Sequence, residues 1–232
     1  MKEFDRLVEL IETLRGPNGC PWDREQDHKS IARCIIEEAY EMVEAIETQD
    51  LEHLKEELGD VLLQVVFHCS IAKENGKFTI KDVINELCNK LIHRHPHVFS
   101  NVKVTGSDEV IKNWEALKQN ERQKKDRDSI LDGIPETLPA LLYAHKIQSR
   151  ARRVGFDWED PKGVVHKIKE EADELYESLD KKNTEEIEEE IGDLLFSIVN
   201  LARFCNIDPE TALRRANRKF KTRFYEIERE AK

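Results

Sequence analysis

Apolar residues along this chain recur with the three-to-four-residue rhythm of helices, and no apolar–polar alternation of useful length appears. The pattern predicts an all-α fold. In the first half it marks an amphipathic helix over 2–14, a turn-rich segment over 16–27 holding Pro17, Gly19 and Pro21, and helices over 30–48, 51–74 and 79–94, ended by Pro96. In the second half a helix over 139–154 leads into Gly155-Phe156-Asp157-Trp158. Helices over 164–179, 184–204 and 209 to the C-terminus follow, with Thr184 and Asp208 as N-cap candidates. Two runs, Val61 to Phe67 and Leu194 to Val199, are apolar on nearly every face, which predicts burial on several sides.

The second half repeats the first. Glu38, Glu41, Glu57 and Asp60 recur as Glu171, Glu174, Glu190 and Asp193, each 133 residues later. With 37% of residues charged, acidic helix faces are expected anyway, so the spacing is what carries information. Each set comes as two pairs three residues apart, neighbours on one helix face. Sixteen residues separate Glu41 from Glu57 and Glu174 from Glu190, enough for the end of one helix, a tight turn and the start of the next. Two antiparallel acidic helices in each half would gather four carboxylates. Oxygen ligands without His or Cys suit magnesium, or manganese, rather than zinc, and a magnesium ion commonly completes its shell with water and substrate phosphates. Gly59 and Gly192 precede the two aspartates in helix interiors, which predicts a close backbone approach there.

A second repeated feature is cationic. Lys90 and Arg94 in the last helix of the first half match Lys219 and Arg223 in the last helix of the second, here offset by 129. Four residues apart, each pair shares a helix face and can grip phosphate oxygens. His93, His95 and His97 flank Pro96 and read as a helix-terminating turn rather than a zinc site.

The halves are expected as domains at 1–100 and 139–232, joined by a polar linker region over 101–138 that includes the charged run 118–128. A net charge of −11 argues against nucleic acid and anionic membranes as partners. No basic n-region opens the chain, and no apolar run approaches a bilayer span. Five cysteines, odd in number and without CxxC spacing, read as reduced thiols, so a cytoplasmic location is expected.

These motifs resemble those of the MazG proteins, members of the all-α nucleoside triphosphate pyrophosphohydrolase superfamily. Their signature, Glu-Glu-x-x-Glu followed by Glu-Glu-x-x-Asp, stands here as Glu37 to Glu41 with Glu56 to Asp60, and as Glu170 to Glu174 with Glu189 to Asp193. Gly19-Cys20-Pro21-Trp22-Asp23, Arg94 to Phe99 and Val154 to Trp158 extend the match over nearly the whole chain. The resemblance implies magnesium-dependent cleavage of ribo- and deoxyribonucleoside triphosphates between the α and β phosphates, as nucleotide-pool housecleaning. It implies Glu171, Glu174, Glu190 and Asp193 as metal ligands, Lys167, Lys219 and Arg223 as phosphate cations, and the C-terminal half as the main catalytic unit. Glu38, Glu41, Glu57 and Asp60 are expected to bind metal too, with Lys90, Arg94 and Trp158 as further substrate contacts. A homodimer is expected from the resemblance and from helices with more apolar surface than one chain covers. A non-catalytic module that holds nucleotide and magnesium is the alternative. A dimetal oxidase would need Glu-x-x-His pairs on facing helices, and Glu25 to His28, in the turn-rich segment, is a poor match.

Overall fold

The computed structural model describes residues 2–107, 109–111, 113, 114, 116, 117 and 129–231, and the charged run 118–128 lies outside them. The chain divides into two compact units, Met1–Gln119 and Asn120–Lys232. Among the described residues there are helices and turns and no strand.

In the first unit, α1 (Lys2–Arg15), the short α2 (Pro21–Glu25), α3 (Cys34–Thr48), α4 (Leu51–Glu74), α5 (Ile80–Arg94) and α6 (Pro96–Phe99) follow in order. The hairpin of α3 and α4 is the centre, with α1 and α5 against α4. Ile11, Ile31, Val66, Phe67 and Ile71 form a buried cluster, with Phe4, Leu7, Val8 and Leu63 packed on it. Each of these large side chains contributes about 1.5–3 kcal/mol by leaving water. Arg15 ties α1 to α4: its guanidinium holds both oxygens of Glu74 at 2.8 Å, bonds the carbonyls of Asp23 and Gln26, and lies 5.0 Å over the Phe67 ring.

The second unit holds α7 (Ala140–Arg152), α8 (Pro161–Lys181), α9 (Thr184–Phe204) and α10 (Pro209–Glu230). Here α8 and α9 make the hairpin, α7 packs on α9, and α10 touches α7 and α9. Beyond Arg214 every described residue of α10 is exposed, including Phe220 and Phe224, whose rings stack 6.0 Å apart.

Several sequence expectations shift, each for a local reason. The helix expected from residue 30 starts at Cys34, because Asp27 Oδ1 accepts the N–H groups of Lys29 and Ser30 and holds a turn instead. The helix expected from 164 begins at Pro161, since Asp160 caps it through Gly163 N–H and proline suits the first turn. Asn183 rather than Thr184 caps α9, by accepting Glu185 N–H. Asp208 caps α10 as expected, bonding Thr211 N–H. The histidine tract is a helix-terminating turn: His95 ends α5 and Pro96 begins α6.

Two expectations fail. A Cβ at Gly59 or Gly192 would meet nothing within 4 Å, so neither glycine permits a close backbone approach within the chain; both lie on an outward face of their hairpin. The second apolar run is also less covered than its composition predicts: Leu195, Phe196 and Ile198 are 42–47% exposed, whereas in the first run Val66 and Phe67 are buried and only Leu62 is exposed.

Candidate active site

Each acidic hairpin turns at a residue in the left-handed region: Gln49 (φ 59°) after α3 and Lys182 (φ 58°) after α8. This αL stop lets the next helix start at once, capped by Asp50 in one unit and by Asn183 in the other. The carboxylates are placed symmetrically about these turns. Glu41 and Glu57 each stand eight residues from Gln49, and Glu38 and Asp60 eleven; Glu174 and Glu190 stand eight from Lys182, and Glu171 and Asp193 eleven. In an antiparallel pair, residues equidistant from the turn lie side by side. Oxygens of Glu38, Glu41 and Glu57 accordingly lie within 4.8 Å of one another, as do those of Glu171, Glu174 and Glu190.

Asp60 and Asp193 stand just outside these trios yet within electrostatic reach. Burial holds the Glu38 carboxyl above its usual range, and the charges of Asp60, Glu41 and Glu57 add to the effect. Glu190 is raised in the same way by desolvation, then by Glu174, Glu171 and Asp193. Glu174 is raised by desolvation, with Lys167 opposing and Glu171 reinforcing. Carboxylates that repel at this range are energetically poised for a cation.

The two sites differ in what already contacts their carboxylates. In the second, Lys167 on α8 lies 2.7 Å from Glu170 and 2.8 Å from Glu171, and those bonds raise its own pKa above the usual lysine value. In the first, His53 Nε2 lies 2.8 Å from Glu57 Oε1, a pair four residues apart whose significance the carboxylate spacing alone does not reveal. Glu57 Oε2 is buried with no hydrogen-bond partner. An unpaired oxygen in a buried carboxylate, converging with two others, is a donor set that fits a hard divalent cation.

The remaining predicted residues lie on elements other than the carboxylate hairpins. Lys90 and Arg94 lie on α5, Lys219 and Arg223 on the exposed stretch of α10; among the described residues neither Lys219 nor Arg223 makes an ion pair with the carboxylates. Trp158 is half exposed, its ring on the first turn of α8, where a Cβ at Gly163 would come within 2.8 Å of it. Neighbouring Asp157 binds Arg203 on α9, with Nη1 at 3.2 Å and Nη2 closer, and Arg203 also holds Asn200 Oδ1. This pair links the loop before α8 to the far end of α9, a role the sequence motif left unread.

The MazG nucleotide pyrophosphohydrolase domain matches residues 26–99 and 159–226, covering both acidic hairpins. The chain belongs to the MazG family. It is 53% identical over 225 residues to the nucleoside triphosphate pyrophosphohydrolase/pyrophosphatase MazG of Thermotoga maritima, spanning 97% of this chain and 85% of that one. It is 47% identical over 232 residues to a nucleoside triphosphate pyrophosphohydrolase of Escherichia coli (strain K12), spanning 99% and 88%. A crystal structure of a MazG-related protein from Thermotoga maritima aligns with 50% of this MazG-family chain and 98% of its own, at 29% identity and a TM-score of 0.43.

Proposed function

We propose that this chain hydrolyses ribo- and deoxyribonucleoside triphosphates to monophosphate and pyrophosphate in a magnesium-dependent reaction at its C-terminal site. The observation that carries the reading is the convergence of Glu171, Glu174 and Glu190, with Asp193 beside them and Lys167 already at their edge. The names of the Thermotoga and Escherichia relatives support the bond assignment. Glu171, Glu174, Glu190 and Asp193 would hold the metal. Magnesium, or manganese, supplies Lewis-acid stabilisation of phosphate charge and a more acidic water.

The chain's own residues do the rest. One of the cluster's glutamates, such as one left off the metal, would accept the proton of the attacking water. Lys167 exchanges a carboxylate partner for phosphate oxygens, stabilising charge where it shifts during cleavage. Lys219 and Arg223 add further cations, with Lys90 and Arg94 as their equivalents in the N-terminal half and Trp158 as a contact for the nucleoside. The N-terminal trio binds metal as well. The functional halves are read as 1–100 and 139–232 with 101–138 between them.

A homodimer follows from the same surfaces. The exposed Leu58, Leu62, Ile191, Leu195 and Ile198, the exposed apolar residues of α10, and the open space that a Cβ at Gly59 or Gly192 would meet among the described residues are what a second copy would cover. No described helix is long and apolar enough to cross a membrane. A cytoplasmic role in clearing the nucleotide pool, without nucleic acid as a partner, fits the net charge of −11.

The test is product analysis by ion-exchange chromatography after incubation with a panel of triphosphates, with and without magnesium. Monophosphate plus pyrophosphate, formed only with magnesium and lost in Glu190→Gln, is the expected result. Diphosphate plus phosphate would refute the bond assignment, full activity of Glu190→Gln would refute the site, and nucleotide binding without turnover would make the protein a binding module.

A further inference from the structure

The N-terminal carboxylate trio differs from its C-terminal copy in how one ligand is held. Glu57 on α4 is 5% exposed, its Oε1 lies 2.8 Å from Nε2 of His53 one helical turn earlier, and its Oε2 is buried with no hydrogen-bond partner. A carboxylate oxygen only accepts, so the ring presents an N–H to Oε1 and leaves Oε2 unpaired. An oxygen of Glu57 lies within 4.8 Å of oxygens of both Glu38 and Glu41. A buried acceptor without a donor costs free energy. Water does not reach Oε2, so the positive charge it lacks can come only from within the cluster. At the offset of 133 the counterpart of His53 is Glu186, which faces Lys181 at 3.8 Å instead, and Glu190 is less deeply buried than Glu57.

The trios differ again in the cation beside them. Lys167 stands four residues before Glu171 and 2.8 Å from it. Its counterpart Cys34 stands four residues before Glu38 and packs on the buried apolar cluster of the first unit. The charges acting on Glu38 are those of Asp60, Glu41, Glu57 and Glu37, all of one sign, whereas at Glu174 the charge of Lys167 opposes those of its neighbours. A divalent ion entering the C-terminal trio therefore competes with an ammonium already bound there. An ion entering the N-terminal trio meets carboxylates without that competitor, one of them already oriented, and ligands fixed beforehand bind without the cost of ordering them.

We propose that the N-terminal trio is a resident-cation site, which holds a hard divalent ion without nucleotide, and that His53 is a positioning residue that fixes the Glu57 carboxylate and leaves Oε2 to the ion. The C-terminal trio takes up its ion firmly only together with the triphosphate, whose oxygens draw Lys167 away from Glu171. The proposal rests on the metal-binding reading above and adds the order in which the two sites fill and the residue that sets it. The resident ion joins Glu38 and Glu41 of α3 to Glu57 of α4, and so its work is to tie the hairpin together.

The test is a titration of the full chain with manganese in the absence of nucleotide, the free ion being read by electron paramagnetic resonance. The wild type should show two classes of site with dissociation constants about tenfold or more apart. Glu57→Gln should remove the tighter class and Glu190→Gln the weaker. His53→Leu should weaken the tighter class by about ten- to hundredfold, the range for loss of a group that orients a metal ligand. His53→Gln, which keeps an N–H donor, should restore most of that loss. Cys34→Lys should weaken the tighter class by about tenfold, and Lys167→Met should strengthen the weaker class by a similar factor. A triphosphate with a methylene bridge between its α and β phosphorus atoms, which resists cleavage, should tighten the weaker class and leave the other unmoved. Circular dichroism verifies folding, and the His53 side chain, 38% exposed, is replaced without opening the core.

A tighter class that survives Glu57→Gln and disappears in Glu190→Gln overturns the proposal. So does a single class of sites in the wild type, tight binding unchanged in His53→Leu, or a loss in His53→Leu that His53→Gln does not reverse. Each of these leaves the activity standing, because product analysis reads it independently. Manganese that binds neither alone nor with the triphosphate refutes the metal-dependent reading itself, and the resident ion with it.

Discussion

Asp157→Ala removes the counter-ion of Arg203, whose side chain is 5% exposed while that of Asp157 is 17% exposed. Breaking a buried ion pair from one side costs about 3–5 kcal/mol, because the remaining charge stays desolvated. The lower end applies here. Arg203 keeps two bonds to Asn200 Oδ1 and a contact 4.6 Å above the Phe204 ring, which offset part of the loss. Arg152, 3.5 Å from Asp157 and largely exposed, adds little. A cost of about 3 kcal/mol is a large share of the stability of a unit of this size, typically about 5–15 kcal/mol. It should lower the melting temperature of the second unit by on the order of 10 °C. Urea unfolding of the full chain, fitted with one transition per unit, should show the second moving and the first unchanged. The variant Asp157→Ala/Arg203→Met, with no charge left to bury, should recover part of the loss. A single-variant cost below about 1 kcal/mol, or additivity in the double variant, would show that the pair does not hold the loop to α9.

Three other perturbations test the remaining geometry. Glu57→Gln should abolish the magnesium-dependent stabilisation of the first unit, which in the wild type should reach about 2.7 kcal/mol at a hundred times the dissociation constant; an unchanged response by thermal melting would remove Glu57 from the ligand set. Burial and the neighbouring His28 ring, with its Nδ1 2.9 Å from that of His68, hold the His68 pKa below its usual value. Proton uptake thus favours the unfolded chain: stability of the first unit should be steady above neutral pH and fall as pH drops through about 6.5, and His68→Leu should flatten that slope in urea titrations, whereas an identical slope would rule the pair out. Gly163→Ala must displace the Trp158 ring, since the new methyl would lie 2.8 Å from it; Trp158 emission, read with Trp22 and Trp114 replaced by Phe, should shift, and an unmoved spectrum would show that the ring does not rest on α8.

How legible each feature was in the sequence depended on the range of the interactions that fix it. The carboxylate sets were readable because helical spacing is local, and a gap of sixteen residues leaves room for two helix ends and a tight turn. Helix starts were less so. The pattern gave Asp208 and the bounds of α9, but at Asp27 a side chain competing for backbone N–H groups moved a helix start by four residues, and at Asn183 the cap stands one residue earlier than expected. Arg15 with Glu74, 59 residues apart, and Asp157 with Arg203, 46 apart, leave no periodic trace, since only tertiary packing brings them together. Gly59 and Gly192 misled because an interior glycine in a helix is equally consistent with a close contact inside the chain and with an outward face.

The two copies of the site have kept their carboxylates and changed their surroundings, and this divides their chemistry. At the offset of 133, Lys167 answers to Cys34, and His53 answers to Glu186. One trio is thus paired at Glu171 with an amine that stays charged at all physiological pH, the other at Glu57 with a histidine ring four residues away. An amine released from Glu171 can move to a phosphate with its charge intact. Metal ligation needs the carboxylates alone, but binding a nucleoside triphosphate also needs a fixed cation. That cation stands beside the carboxylates of the C-terminal half as Lys167, which is the physical ground for proposing catalysis there.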